Sequence, residues 1–215
     1  MKDIVIFGAG GLGREVACLI KRINAVQPEW NLVGFYDDGV AAGTTNEYGT
    51  VLGNSQDLAS ANKKLSVTIA IGSPKTVKKI VETLSVNRNL NYPNLISPDF
   101  SISDPDNYSI GKGNIIQRNC TFSCNVHIGN FNILNTGIGI GHDARIGNYD
   151  SFMPAVKISG EVTIGDCNFF GVGSIVLQQL KIGNGIKLGA GSVLMRRAKD
   201  DTLYMGNPAK KVSFE

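Results

Sequence analysis

From Ile110 to Leu194 the chain reads IGKGNI IQRNCT FSCNVH IGNFNI LNTGIG IGHDAR IGNYDS FMPAVK ISGEVT IGDCNF FGVGSI VLQQLK IGNGIK LGAGSV L. Every sixth residue is apolar, at all fifteen positions from Ile110 through Ile116, Phe122 and onward to Leu188 and Leu194. The phase never slips. Glycine follows the apolar residue eight times, at 111, 129, 141, 147, 165, 171, 183 and 189. A fixed internal period governs the reading of everything else in a chain.

A helix spaces apolar residues by three and four, and a strand by two. One obligatory apolar residue in six fits neither. It fits a coil of short flat strands with a turn after each. The apolar residue points into a narrow core, and Gly or Asn turns the corners where φ is positive or the turn tight. This hexapeptide repeat resembles the left-handed parallel β-helix of the hexapeptide acyltransferases. In that family three hexapeptides make one triangular coil of eighteen residues, so fifteen units imply about five coils. The left hand comes from the resemblance, since parallel crossovers are ordinarily right-handed.

Around the repeat, 215 residues leave room for one large domain or two small ones. An apolar content of 42% suits a soluble globular chain with a real core. A net charge of +3, with no Lys/Arg run interleaved with aromatics, argues against nucleic acid. Cys18, Cys120, Cys124 and Cys167 form no CxxC pair, and two histidines provide no zinc spacing, so no metal is expected. Free thiols in a reducing cytosol are the plain reading. The glycines after Phe7 interrupt the first apolar run too early for a signal peptide, and no stretch is long enough for a membrane span. The expected location is cytoplasmic.

Residues 3–8 read as a buried parallel strand, 12–24 as a helix, 31–37 as a second strand and 66–72 as a third, followed by Ser73-Pro74 and a helix to about Leu84. Residues 41–49 read as a polar loop, and Ser55 as the cap of a short helix. The predicted fold is therefore a small Rossmann-like α/β domain over 1–90, a junction over 91–109, a left-handed parallel β-helix over 110–195, and a tail over 196–215.

Gly8, Gly10 and Gly13 form G-x-G-x-x-G between strand and helix, with Asp37 ending the next strand. The pattern matches the dinucleotide fingerprint. Only about 90 residues precede the β-helix, roughly half of a full dinucleotide fold. Three readings stand: NAD binding, a tight strand–helix turn, or a helix N-terminus holding the diphosphate of some nucleotide, with Asp37 or Asp38 accepting from base or ribose.

VIFGAGGLGREVA, GFYDD, VTIAIGS, the hexapeptide β-helix and the closing GNPAK together resemble, along the whole chain, the sugar acetyltransferases related to sialic acid O-acetyltransferases and bacillosamine-pathway amino-sugar N-acetyltransferases. The resemblance implies an N-terminal domain that binds the acceptor's nucleotide through Gly8, Gly10, Gly11, Asp37, Asp38 and Gly72. It implies acetyl-CoA as co-substrate, and a homotrimer with active sites between subunits. It assigns His142 as general base and Asp143 as its orienting acid. Ala190 matches a contact of the pantetheine arm, and Gly206 to Lys210, with Pro208 and Lys210, the tail near adenine and 3′-phosphate.

His142 is the third residue of its hexapeptide and should face outward. Taken alone it reads as a surface histidine. The file of residues eighteen apart, Cys124, His142, Gly160 and Gln178, changes that: Gly160 leaves space beside the ring where a thioester would lie. Its backbone N–H is the candidate oxyanion donor. Two conditions follow. Neighbours on a flat strand point to opposite faces, so an Asp143–His142 contact requires a corner. Asp143 also files with Glu161, and paired carboxylates raise one pKa. Ser151 occupies the position of the family's second histidine. His127 files with Arg145 and Thr163 and reads as an ordinary surface residue.

The expected activity is acetyl transfer from acetyl-CoA to the amino group of a nucleotide-linked 4-amino-deoxysugar in surface-glycan biosynthesis. The alternatives are O-acetylation of a sialic acid or other sugar, a non-catalytic nucleotide-sugar-binding β-helix, and NAD-dependent redox chemistry.

Overall fold

The computed structural model describes residues 1–212, so the last three residues of the predicted 196–215 tail lie outside the described residues. The chain divides into two compact units: Met1–Pro98 with Lys112–Ile115, and Asp99–Gly111 with Ile116–Glu215.

The first unit is built on a sheet of β1 (Lys2–Phe7), β2 (Trp30–Tyr36), β3 (Thr45–Asn46), β4 (Gly49–Gly53), β5 (Leu65–Ile69) and β6 (Leu90–Asn91), in the order β3-β4-β2-β1-β5-β6. All pairs are parallel except the β3–β4 hairpin. Helices α1 (Gly11–Val26), α2 (Ser55–Ala59) and α3 (Pro74–Leu84) connect the strands. Ile4, Val5 and Ile6 are fully buried, as a strand covered on both faces requires. The chain leaves β1 toward β2 and later returns to its other side with β5, and the Gly-rich turn sits at this change of direction.

Two local readings change. The loop over 41–49 contains the β3 strand and leads into β4, which pairs with β2. Helix α2 is capped by Asn54, not Ser55: Asn54 Oδ1 accepts from the N–H groups of Gln56 and Asp57 at 2.9 and 3.1 Å, and Asp57 Oδ2 accepts from Asn54 N–H at 2.9 Å. That reciprocal pair is a capping box, whereas Ser55 lies inside the first turn. Pro74 opens α3, where no amide is needed.

The second unit is a parallel β-solenoid. Each of the fifteen period-six residues closes one of its short strands. Partners lie eighteen apart: Phe122, Ile140, Ile158, Val176 and Leu194 stack on one face. Ile128, Ile146, Ile164 and Ile182 stack on the second, and Leu134, Phe152, Phe170 and Leu188 on the third. All but Ile110 are at most 5% exposed. The Phe152 and Phe170 rings lie parallel at 4.7 Å, one strand spacing. Corners fall at residues of positive φ, among them Asn125 (55°), Asp143 (58°), Glu161 (59°) and Gln179 (62°), a file with period eighteen.

Polar side chains also enter the core. Asn132, Asp150 and Asn168 are fully buried in one file. Each oxygen Oδ1 accepts the backbone N–H eighteen residues on, from Asp150, Asn168 and Ile186, at 2.7–2.8 Å. This ladder satisfies amides that a two-residue strand leaves over. After Leu194 the chain forms an antiparallel hairpin of 203–205 with 210–212. It is tied to the last coil by Ala209 N–H to Val193 O at 2.8 Å and Gly206 N–H to Ser192 Oγ at 3.0 Å.

Candidate active site

In the first unit the Gly-rich turn joins β1 to α1. Gly8 has φ +111°, and a Cβ there would lie 2.5 Å from the Ala70 carbonyl oxygen, so the chain just past β5 leaves room only for glycine. Gly10 is the N-cap of α1 and makes no side-chain cap. A Cβ at Gly10, Gly11 or Gly72 would meet nothing within 4 Å. The start of this sixteen-residue helix is therefore uncrowded at Gly10 and Gly11, as an anion site there needs.

Asp37 is bonded to the backbone around it. Its Oδ2 accepts the Ala9 N–H at 2.8 Å, and its Oδ1 accepts from Gly39 and Val40 at 2.8 and 3.1 Å. Both oxygens pin the Gly-rich turn and the turn after β2. Asp38 gives Oδ1 to the Ser55 N–H at 2.8 Å, and its Oδ2 is without a partner among the described residues. Both aspartates line a cleft of about 280 Å³ shared with Ala41, Asn54 and Asp57.

In the second unit His142 and Asp143 sit at a solenoid corner. The positive φ of Asp143 rotates its side chain to the same side as its neighbour's, which a flat strand would forbid. His142 Nδ1–H donates to Asp143 Oδ2 at 2.9 Å. A carboxylate can only accept, so Nδ1 carries the hydrogen and Nε2 presents a lone pair. Both side chains are about half exposed, 53% and 47%. Hydrogen bonds from His142 and then Asn125 hold the Asp143 carboxyl below the usual carboxylate range.

The concern about Glu161 is resolved by the corner file itself. Asn125 Nδ2 donates to Asp143 Oδ1 at 2.6 Å, while Gln179 Nε2 donates to Glu161 at 3.3 and 3.4 Å. Each acid turns away from the other toward an amide, so Asp143 remains an anion.

Gly160 lies directly beneath the imidazole. A Cβ on it would come within 2.6 Å of His142 Cε1, so any other residue would displace the ring. The Gly160 N–H donates to nothing among the described residues, while its carbonyl accepts from Gln179 at 3.0 Å. The structure thus brings His142, Asp143 and Gly160 together. Ala190, Pro208 and Lys210 are exposed and gather on the last coil and its hairpin. Ser151 is 1% exposed, in register between Ile133 and Phe169.

His127 takes part in a hydrogen-bonded chain rather than simply facing solvent. Its Nε2 lies 2.9 Å from Asn125 Oδ1 and its Nδ1 2.7 Å from Ser109 Oγ. The turn at Asn125 carries that side chain from the His127 strand to the Asp143 corner. The available signal was the spacing: Ser109 to His127 and Asn125 to Asp143 are both eighteen residues.

Comparison with known proteins agrees with this construction. The PglD N-terminal domain family matches residues 3–84. No curated protein sequence matches the chain. The acetyltransferase domain of PglB from Neisseria gonorrhoeae FA1090 superposes with a TM-score of 0.88 at 27% identity, over 99% of this chain and 100% of that one. It is also known in complex with acetyl coenzyme A. WeeI from Acinetobacter baumannii AYE matches at 0.85 and 27%, over 99% and 100%. A histidine-to-asparagine variant of perosamine N-acetyltransferase from Caulobacter crescentus, in complex with CoA and GDP-perosamine, matches at 0.85 and 25%, over 100% and 98%. No helix is long and apolar enough to cross a membrane among the described residues. A PglD-type N-terminal domain over residues 3–84, a hexapeptide solenoid, and sugar acetyltransferases similar to both over nearly the full length support a place among the hexapeptide-repeat sugar acetyltransferases.

Proposed function

We propose that this protein transfers an acetyl group from acetyl-CoA to the amino group of a nucleotide-linked 4-amino-deoxysugar, with His142 as general base. The observation that carries the reading is the His142 ring itself: Nδ1–H is given to Asp143, and the ring rests on Gly160 with Nε2 free. Neutral imidazole suits proton abstraction near neutral pH.

The neutral amine attacks the thioester carbonyl carbon while Nε2 takes one of its protons. The C–N bond forms and the carbonyl π electrons move to oxygen. The unpaired Gly160 N–H stabilises that oxyanion. Asp143 stabilises the imidazolium, as the third member of a triad does. Collapse of the adduct breaks the C–S bond, and the thiolate leaves with the proton from the imidazolium, giving amide and CoA thiol. The first unit supplies acceptor binding: the open N-terminus of α1 takes the diphosphate, and Asp38 reads N–H groups of base or ribose. Ala190, Pro208 and Lys210 serve the CoA arm and its phosphates, in a cytoplasmic homotrimer. Support for this acceptor class comes from the relative that holds GDP-perosamine and CoA.

The test is CoA-thiol release with acetyl-CoA and a panel of UDP-, GDP- and dTDP-linked 4-amino sugars, beside free sialic acid and free sugars. Release with one nucleotide amino sugar, abolished in His142→Ala, is expected. Release with a free hydroxylated sugar alone would replace N-acetylation by O-acetylation, and release unaffected by His142→Ala would remove the assigned base.

A further inference from the structure

Hydrogen bonding continues beyond Asp143. Ser109, His127, Asn125, Asp143 and His142 are joined by contacts of 2.7, 2.9, 2.6 and 2.9 Å. Elementary donor chemistry orients every link. A carboxylate only accepts, so Asn125 must turn its amide N–H to Asp143. The Asn125 oxygen then faces His127 and can only accept, so His127 carries its hydrogen on Nε2. With that ring neutral, Nδ1 accepts the Ser109 hydroxyl. All the donors therefore point toward Asp143 from one side, and His142 Nδ1–H meets it from the other.

The geometry is set by the coil. Ser109 and His127 are strand partners, and Asn125 and Asp143 share one corner, each with positive φ. Asp143 is half exposed, so a single bond to His142 would leave its carboxylate plane free to swing. Asn125 occupies the second oxygen and fixes that plane. Asn125 would itself rotate without His127, which holds the amide oxygen.

We propose that Asn125 and His127 are positioning residues for acetyl transfer: acting through Asp143, they lock the His142 ring with Nδ1 protonated and Nε2 free to take the acceptor's proton. This rests on His142 as the base. The chain holds two histidines, which take opposite tautomers: His142 is the Nδ1–H form and His127 the Nε2–H form.

Both rings are resolved in long-range 1H–15N correlation spectra of the untagged full chain, at a pH where both are neutral. The expected pattern is one ring of each tautomer. Asn125→Ala and His127→Phe are expected to lower kcat about 10–100-fold and to mix the His142 tautomers, because a base held loosely loses orientation. KM for both substrates should stay within about twofold, since ground-state binding is untouched. His127→Gln keeps an N–H for the Asn125 oxygen and should restore most of the rate. A His127 ring found in the Nδ1–H form overturns the proposal. So does parental kcat in Asn125→Ala and His127→Phe alongside an inert His142→Ala, and His142 then still stands as the base. Full turnover in His142→Ala instead refutes the base and takes this proposal with it.

Discussion

Asp150 is an acid in a place built for an amide, and Asp150→Asn should stabilise the protein. The carboxyl is fully buried in the file Asn132, Asp150, Asn168. Its Oδ1 accepts the Asn168 N–H at 2.7 Å, as its neighbours' oxygens do for their partners. The second atom differs. Asn132 Nδ2 donates to the Gly147 carbonyl at 2.9 Å and Asn168 Nδ2 to the Gly183 carbonyl at 3.0 Å, each fifteen residues on. The corresponding carbonyl for Asp150 is Gly165, and there Asp150 offers Oδ2, an atom without a partner. Burial pushes this carboxyl well above its ordinary value of 3.8, and the charge of Asp166 adds to the rise. A proton on Oδ2 would donate where the amides of Asn132 and Asn168 do. The folded chain therefore holds a proton that the unfolded chain releases above about pH 4. From there up to the folded-state pKa the folded state binds more protons, so stability falls as pH rises, by at most about 1.4 kcal/mol per pH unit. The amide of the Asp150→Asn variant would carry a permanent N–H instead. The gain at pH 7 follows from that slope and can reach about 4 kcal/mol, roughly three pH units at about 1.4 kcal/mol each. Each 1 kcal/mol corresponds to about 2–4 °C in Tm at this size. Urea and thermal unfolding of both proteins, run from about pH 4 to pH 8, should show curves that converge at the acid end and separate toward neutrality. A variant less stable at neutral pH, or a difference that does not grow with pH, would refute the reasoning.

Three further outcomes are expected. Gly160→Ala should keep the fold and lower kcat by about 100-fold or more, because the new methyl occupies the space under the His142 ring; circular dichroism and steady-state kinetics check both halves. Phe152→Ala should cost about 3–5 kcal/mol in denaturant unfolding, since it opens a cavity beside the stacked Phe170 ring. Asp37→Ala frees the N–H groups of Ala9, Gly39 and Val40 at once. It should raise KM for the nucleotide sugar more than KM for acetyl-CoA, and equal changes in the two would count against an acceptor site in the first unit.

The coil of eighteen came from the resemblance to the hexapeptide acyltransferases, while the amino-acid order alone determined a solenoid of short strands and the residues that fill it. The reason is that a period of six repeated fifteen times leaves one backbone solution for burying the same position again and again. It also determined the α/β unit, whose three long strands and glycine turn are local patterns. The capping residue of α2 and the β3–β4 hairpin were less legible, because short elements carry few residues of signal and depend on partners distant in the chain. At the site, His142, Asp143 and Gly160 were readable from a motif and an eighteen-residue offset. Only the tertiary structure decided that Asp37 spends both oxygens on its own backbone, that Glu161 turns from Asp143 toward Gln179, and that His127 joins the chain ending at His142. Sequence spacing places residues on a coil and a face. The direction of a side chain at a corner follows from a positive φ and from the partner one coil away, and those exist only once the coil has closed.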